Sequence, residues 1–104
     1  MRQIKNLQEY QDIINSGKPV LLDFYADWCA PCRMMPPILK EVANELGDAV
    51  RILKIDVDKN NALAAKLQIQ GVPTLALYQN GELKWRQSGV VPAHQLVPLI
   101  KQHL

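Results

Sequence analysis

Continuous runs of apolar residues mark the strands of this chain. The clearest run covers residues 19–26, and apolar residues also predominate over residues 50–57 and 74–78. Apolar side chains on both alternating faces are typical of strands covered on both sides, as in the central strands of α/β sheets. A further strand is predicted over residues 83–88, because Asn80-Gly81 just before it is a strong signal for a tight hairpin turn.

Apolar residues that recur every three or four positions predict the helices. Helices of this kind are expected over residues 7–14, 33–46, 61–67 and 92–104. The first begins after Asn6, a good N-cap, with Glu9 in capping-box position. Asp58 is predicted to cap the third helix, and Pro98 to kink the fourth or delay its start.

Strands and helices therefore alternate, and the hairpin comes late. This order predicts an α/β fold with a central mixed β-sheet flanked by helices on both faces. With 104 residues, the chain is long enough for a single domain spanning residues 1–104 and too short for two. A hydrophobic content of 48% is sufficient for a substantial core.

Charge and hydropathy exclude several classes of partner. The net charge of +2 comes from 12 basic and 10 acidic residues without a basic run, so no nucleic-acid partner is expected. No apolar stretch reaches the roughly 20 residues of a membrane helix. The N-terminal residues show no apolar signal core, and on this basis we predict a cytoplasmic location.

The chemistry of the chain is concentrated in Cys29 and Cys32, its only two cysteines. They lie two residues apart, between a predicted strand and a predicted helix. The N–H groups at a helix start favour negative charge, and the thiolate is the reactive form of cysteine. We therefore expect Cys29 to be the nucleophile. Cys32, one turn further into the helix, is expected to be more buried and to resolve the mixed disulfide.

A structural disulfide and a zinc half-site are the alternatives for this pair. A disulfide that closes so short a loop constrains the unfolded chain little. Zinc needs four ligands as a rule, and His94 and His103 are not spaced as a second half-site. Redox chemistry is the favoured reading.

Asp23 is the one charged residue in the first apolar strand. Because burial penalises the ionised carboxylate, we expect its pKa to be raised towards neutrality, as suits an acid/base that takes the proton of Cys32. The alternative is a carboxylate whose face of the strand opens to solvent or that bonds a nearby loop.

Several motifs in order resemble the thioredoxin family over nearly the whole chain. They are Asp23-Phe24-Tyr25-Ala26-Asp27 followed by Trp28-Cys29-Ala30-Pro31-Cys32, then Pro37, Gly71-Val72-Pro73-Thr74, Asn80-Gly81 and Gly89. The family usually has glycine at the position of Ala30. Some members also place a lysine near the buried aspartate, and counting back from Asp56 assigns that position to Ile52.

The resemblance implies a thioredoxin fold and a protein-disulfide reductase that needs no cofactor or metal beyond a redox-active Cys29–Cys32 disulfide. It also implies a cis Val72–Pro73 bond against the cysteines. The implied substrate surface consists of Trp28, Ala30, Pro31, Val72, Pro73, Gly89 and Val90.

The implied electron donor is an NADPH-dependent thioredoxin reductase. The implied clients are disulfide-bearing proteins such as ribonucleotide reductase, peroxiredoxin and methionine sulfoxide reductase. The protein itself is expected to be a monomer. Two rival roles remain on the same fold: an oxidase or isomerase, and a binding subunit that uses the apolar surface without turnover. Ala30-Pro31 lacks the histidine that strongly oxidising relatives carry between the cysteines, which favours the reductase.

Overall fold

The computed structural model describes all 104 residues and contains five strands and four α-helices. The elements are β1 (Arg2–Gln3), α1 (Leu7–Ile14), β2 (Val20–Tyr25), α2 (Met35–Leu46), β3 (Arg51–Asp56), α3 (Asn61–Lys66), β4 (Thr74–Gln79), β5 (Glu82–Ser88) and α4 (Ala93–Lys101). Short 3₁₀ turns over Pro31–Met34 and Gly47–Ala49 flank α2. None of the helices has the length and hydrophobicity that crossing a membrane requires.

The strands form one mixed sheet in the order β1-β3-β2-β4-β5. β1 and β2 lie parallel to β3, whereas β4 runs antiparallel to β2 and continues through the Asn80-Gly81 turn into β5. Both turn residues have positive φ, 54° and 79°, as a tight hairpin turn of this kind requires. The predicted fold class, a mixed sheet with helices on both faces, is confirmed.

Alternate residues of β2 feed two separate hydrophobic cores. Leu22 and Phe24 pack beneath α1 and α3, in a core that also holds Ile4 and Ile55. Leu21 packs beneath α2 and α4 in the second core. Because both of its faces are covered, β2 is apolar apart from Asp23, whereas β3 also carries Arg51, Lys54 and Asp56.

The N-terminus of α1 forms as predicted. The Asn6 side chain accepts a hydrogen bond of 2.8 Å from the Glu9 N–H. The Glu9 carboxylate reaches back to the Lys5 N–H at 3.4 Å, not to the N–H of Asn6 as an ideal capping box would have it.

The last helix corrects one expectation. It begins at Ala93, directly after Pro92, and continues through Pro98, so the predicted late start is wrong. Pro98 lies on the exposed face of α4, where water can bond the His94 carbonyl that the missing N–H leaves free.

Candidate active site

Cys29 and Cys32 lie just beyond the C-terminal end of β2 and form a disulfide. The Cys29 N–H donates to the Ala26 carbonyl at 3.2 Å, which turns the chain out of the strand. Cys32 belongs to the 3₁₀ turn that leads into α2. Its N–H points at Cys29 Sγ, 3.2 Å away. An N–H aimed at this sulfur stabilises negative charge on it, so the local backbone favours a thiolate at Cys29.

The prediction that Cys32 is more buried than Cys29 is wrong. Cys29 is 3% exposed and Cys32 is 5% exposed, so Cys32 is not the more buried of the two. The disulfide holds both sulfurs in a small apolar cluster with Ala26, against which Tyr25 and Val72 pack. No group of three or more His, Cys, Asp or Glu side chains in the chain is arranged to hold a metal ion.

The turn that carries Cys32 ends at Met34, and α2 begins at Met35 without a break in the helical backbone. Pro36 and Pro37 lie in the first turn of α2, where backbone N–H groups have no helical acceptor in any case. Two consecutive prolines are therefore tolerated there. Ala30 has φ −62° and ψ −45°, a helical conformation that suits alanine without strain.

Asp23 is buried in the middle of the sheet, with 2% of its surface exposed. Its Oδ1 atom has no hydrogen-bond partner within the protein. Desolvation by burial raises the pKa of Asp23 to about 7, against the ordinary value of 3.8. The alternative of a solvent-facing or loop-bonded carboxylate is therefore excluded. Asp23 shares its face of β2 with Leu21, which is the face that α2 covers.

The residue of β3 that lies opposite Asp23 is Lys54, not Ile52 as the sequence suggested. In the parallel pairing of β2 with β3, Asp23 lies directly opposite Lys54. The ammonium group sits 5.1 Å from the centre of the Tyr25 ring and partly offsets the rise in the Asp23 pKa. Counting back from Asp56 failed because the register between two strands is set by their packing and cannot be read from one strand.

A second segment of chain approaches the cysteines from β4. The Val72–Pro73 peptide bond is cis, and the Val72 carbonyl oxygen lies 3.6 Å from Cys29 Sγ. The Pro73 carbonyl accepts a hydrogen bond of 2.8 Å from the N–H of Gly89, so the corner after β5 lies beside this segment. Val72 and Val90 are half-buried, and Gly89 is exposed.

Trp28 is 70% exposed, which excludes a place in the core. Its indole N–H donates to Asp58 Oδ2 at 2.8 Å. This contact corrects the prediction that Asp58 caps α3, because Asn60 occupies the N-cap position instead. The turn itself is held by the buried Asp56, whose carboxylate accepts hydrogen bonds from the N–H groups of Asp58 and Lys59. Sequence reasoning missed the role of Asp58, since 30 residues separate it from Trp28.

Comparison with known proteins gives consistent results. The thioredoxin family model matches residues 2–102. The chain is 46% identical over 101 residues to chloroplastic thioredoxin Y2 of Arabidopsis thaliana, covering 96% of this chain and 60% of that one. It is 44% identical over 92 residues to the thioredoxin of Haemophilus influenzae, covering 88% and 86%. The X-ray structure of Fasciola hepatica thioredoxin superposes with a TM-score of 0.90 at 32% identity, covering all of both chains.

The chain spans only 60% and 53% of the length of the chloroplastic relatives from Arabidopsis thaliana and rice. The predicted cytoplasmic location is wrong as an inference from these residues, because relatives at 46% identity are named as chloroplastic thioredoxins while another relative is bacterial. The lack of an apolar signal core therefore does not define the compartment.

Proposed function

Since this chain belongs to the thioredoxin family, we propose that it is a thiol–disulfide oxidoreductase that reduces the disulfides of client proteins. The observation that carries the proposal is the Cys29–Cys32 disulfide at the start of a helix, with the Cys32 N–H directed at Cys29 Sγ. The pair needs no organic cofactor, because the two electrons are held by its own thiols.

The first step is an attack by the Cys29 thiolate on one sulfur of the client disulfide. A bond forms between Cys29 Sγ and that sulfur, the client S–S bond breaks, and the other client sulfur leaves as a thiolate. The N–H of Cys32, 3.2 Å from Cys29 Sγ, supports the negative charge that the attacking sulfur carries beforehand.

In the second step, Cys32 gives up its proton and attacks Cys29 Sγ. The mixed disulfide breaks, the second client sulfur leaves as a thiolate, and Cys29–Cys32 becomes a disulfide. Asp23 is the base that we assign to Cys32. With a pKa of about 7, it is ionised often enough to accept a proton near neutral pH and is protonated often enough to return one.

The client-binding surface that we propose lies around Cys29. It combines the exposed residues Trp28, Ala30, Pro31 and Gly89, the half-buried Val72 and Val90, and the buried Pro73 beneath them. The Val72 N–H donates to no other group of the chain, so it is free to pair with an extended client segment beside the cysteines. The electron donor we assign is an NADPH-dependent thioredoxin reductase. Peroxiredoxin, ribonucleotide reductase and methionine sulfoxide reductase are the client classes to test.

Trapping of the mixed disulfide tests the assignment of roles. Cys32→Ser should accumulate a covalent adduct with an oxidised client such as insulin, whereas Cys29→Ser should form none and the double variant should lack turnover. Adduct formation by Cys29→Ser at the same rate as by Cys32→Ser would overturn the roles. The equilibrium reduction potential of the Cys29–Cys32 pair should be about −270 mV. A value of about −120 mV, typical of strongly oxidising relatives, would favour an oxidase instead.

A further inference from the structure

The segment that carries Val72 has little regular structure of its own. It leaves α3 at Leu67 and reaches β4 at Thr74. Gln68 adopts a left-handed conformation with φ 57°, although it is not a glycine. The N–H groups of Gln68 and Ile69 bond back to α3, but no hydrogen bond of this kind holds the segment further along.

Arg86 of β5 forms hydrogen bonds to the start of this segment. Its Nη1 atom donates to the Leu67 carbonyl at 2.6 Å and its Nη2 atom to the Gln68 carbonyl at 2.5 Å. The planar guanidinium presents two parallel donors in a fixed geometry, so the fork sets the position and the orientation of both carbonyls together. We call this pair of contacts the Arg86 clamp.

The same strand also holds the far end of the segment. The Thr74 hydroxyl lies 2.6 Å from the Gly71 carbonyl and 3.0 Å from the Ser88 hydroxyl. The Gly89 N–H donates to the Pro73 carbonyl at 2.8 Å. Val72 therefore lies between two sets of hydrogen bonds to β5 and the corner after it. Arg86 supplies the set on the side of α3.

We propose that Arg86 is a positioning residue for the Val72 segment, and that its clamp sets the affinity of the protein for extended protein substrates. The inference rests on the proposed function, because the substrate is taken to pair with the Val72 backbone. A segment that is already fixed loses less freedom when a partner binds it. Without the clamp, the client has to order residues 67–71 as it binds. A small disulfide needs only the Cys29 sulfur and is indifferent to the clamp.

Arg86→Gln removes the fork, and Arg86→Lys keeps the charge but can bond only as a point donor. Lys84→Gln is the matched control, since it removes the same charge from the same strand and Lys84 pairs only with Glu82. For each variant, the measurements are KM and kcat for insulin reduction, the rate with the small disulfide 5,5′-dithiobis(2-nitrobenzoate), and hydrogen exchange of the Ile69 amide, which donates to the Ala64 carbonyl at 2.9 Å beside the clamp.

Arg86→Gln should raise KM for insulin roughly 2- to 10-fold, the range expected when binding has to order one more flexible group, with kcat and the small-disulfide rate unchanged. The Ile69 amide should exchange faster in this variant, because its bond to the Ala64 carbonyl opens more often without the clamp. Arg86→Lys should recover part of both effects, and Lys84→Gln should show neither.

The proposal is overturned if Arg86→Gln only lowers the melting temperature and leaves KM and Ile69 exchange unchanged. It is equally overturned if Lys84→Gln reproduces the rise in KM, or if protein and small disulfides slow down together. Should the unaltered protein fail to reduce insulin at all, the proposed function falls, and Ile69 exchange alone still decides whether the clamp orders the segment.

Discussion

Replacing Asp23 with asparagine should stabilise the protein at neutral and alkaline pH. The carboxylate is 2% exposed, and its Oδ1 atom has no partner, so the folded state bears the cost of its charge. The pKa is about 7 in the folded protein against an ordinary value of 3.8. A difference of about three pH units, at about 1.4 kcal/mol each, amounts to about 4 kcal/mol.

The direction follows from proton binding. Between pH 4 and pH 7 the folded state keeps the Asp23 proton while the unfolded state has lost it, so raising the pH favours unfolding. Stability from this group is complete below pH 3.8, declines as the pH rises towards 7, and is constant above that. Asparagine has no proton to lose. The advantage of the Asp23→Asn variant over the unaltered protein should therefore grow by about 4 kcal/mol between pH 4 and pH 8.

Urea unfolding of the oxidised protein at several pH values measures this difference, since the effect of every other titrating group cancels between the two proteins. Asp12→Asn is the control, because Asp12 is an exposed carboxylate on α1. A difference between Asp23→Asn and the unaltered protein that stays constant from pH 4 to pH 8 would refute the reasoning. It would mean that Asp23 is as well solvated in the folded state as in the unfolded one.

Three further changes test neighbouring features. Lys54→Met removes the charge that lowers the Asp23 pKa, so carboxyl NMR should show Asp23 titrating at higher pH; an unmoved or lower midpoint would contradict this. Gly81→Ala should cost about 1–2 kcal/mol in chemical unfolding, because φ is 79° and the new Cβ meets the Asn15 side chain; adding Asn15→Ala should restore only the steric part, and full recovery would contradict the backbone part. Asn6→Ala should cost about 1 kcal/mol in the same assay through loss of the bond to the Glu9 N–H, and an unchanged stability would argue against the cap.

Much of the fold could be predicted because the pattern depends on burial alone. A strand covered on both faces is rich in apolar residues, and the runs at 19–26 and 50–57 contain the observed β2 and β3. The Asn80-Gly81 turn could also be predicted, since its two positive φ values favour asparagine and glycine. The element limits and the course of α4 around Pro98 depended on packing and were less accurate.

The candidate site also contains residues that could be predicted from the sequence and residues that could not. Cys29, Cys32 and Trp28 are neighbours in sequence, so their association is local and could be read directly. Lys54 and Asp58 reach the site from another part of the chain, and only the register of β2 with β3 places them. A register is fixed by the contacts of both strands together, and the side chains of one strand do not reveal it. Arg86 gave no sequence signal for the same reason, because an arginine on an edge strand is usually a solvated charge.

The roles that we propose for the two cysteines rest on hydrogen bonding and not on exposure. The sequence suggested that Cys32 would be the more buried residue, yet both are buried almost equally in the disulfide form. What differs between them is the surrounding polar groups. Cys29 Sγ faces the Cys32 N–H at 3.2 Å, which favours charge on Cys29 before attack. Cys32 lies in the turn that leads into α2, the helix that covers the face of β2 where Asp23 lies, and the pKa of Asp23 is raised by burial to about 7. One sulfur therefore has a donor that stabilises its thiolate, and we expect the other to depend on a base to become one.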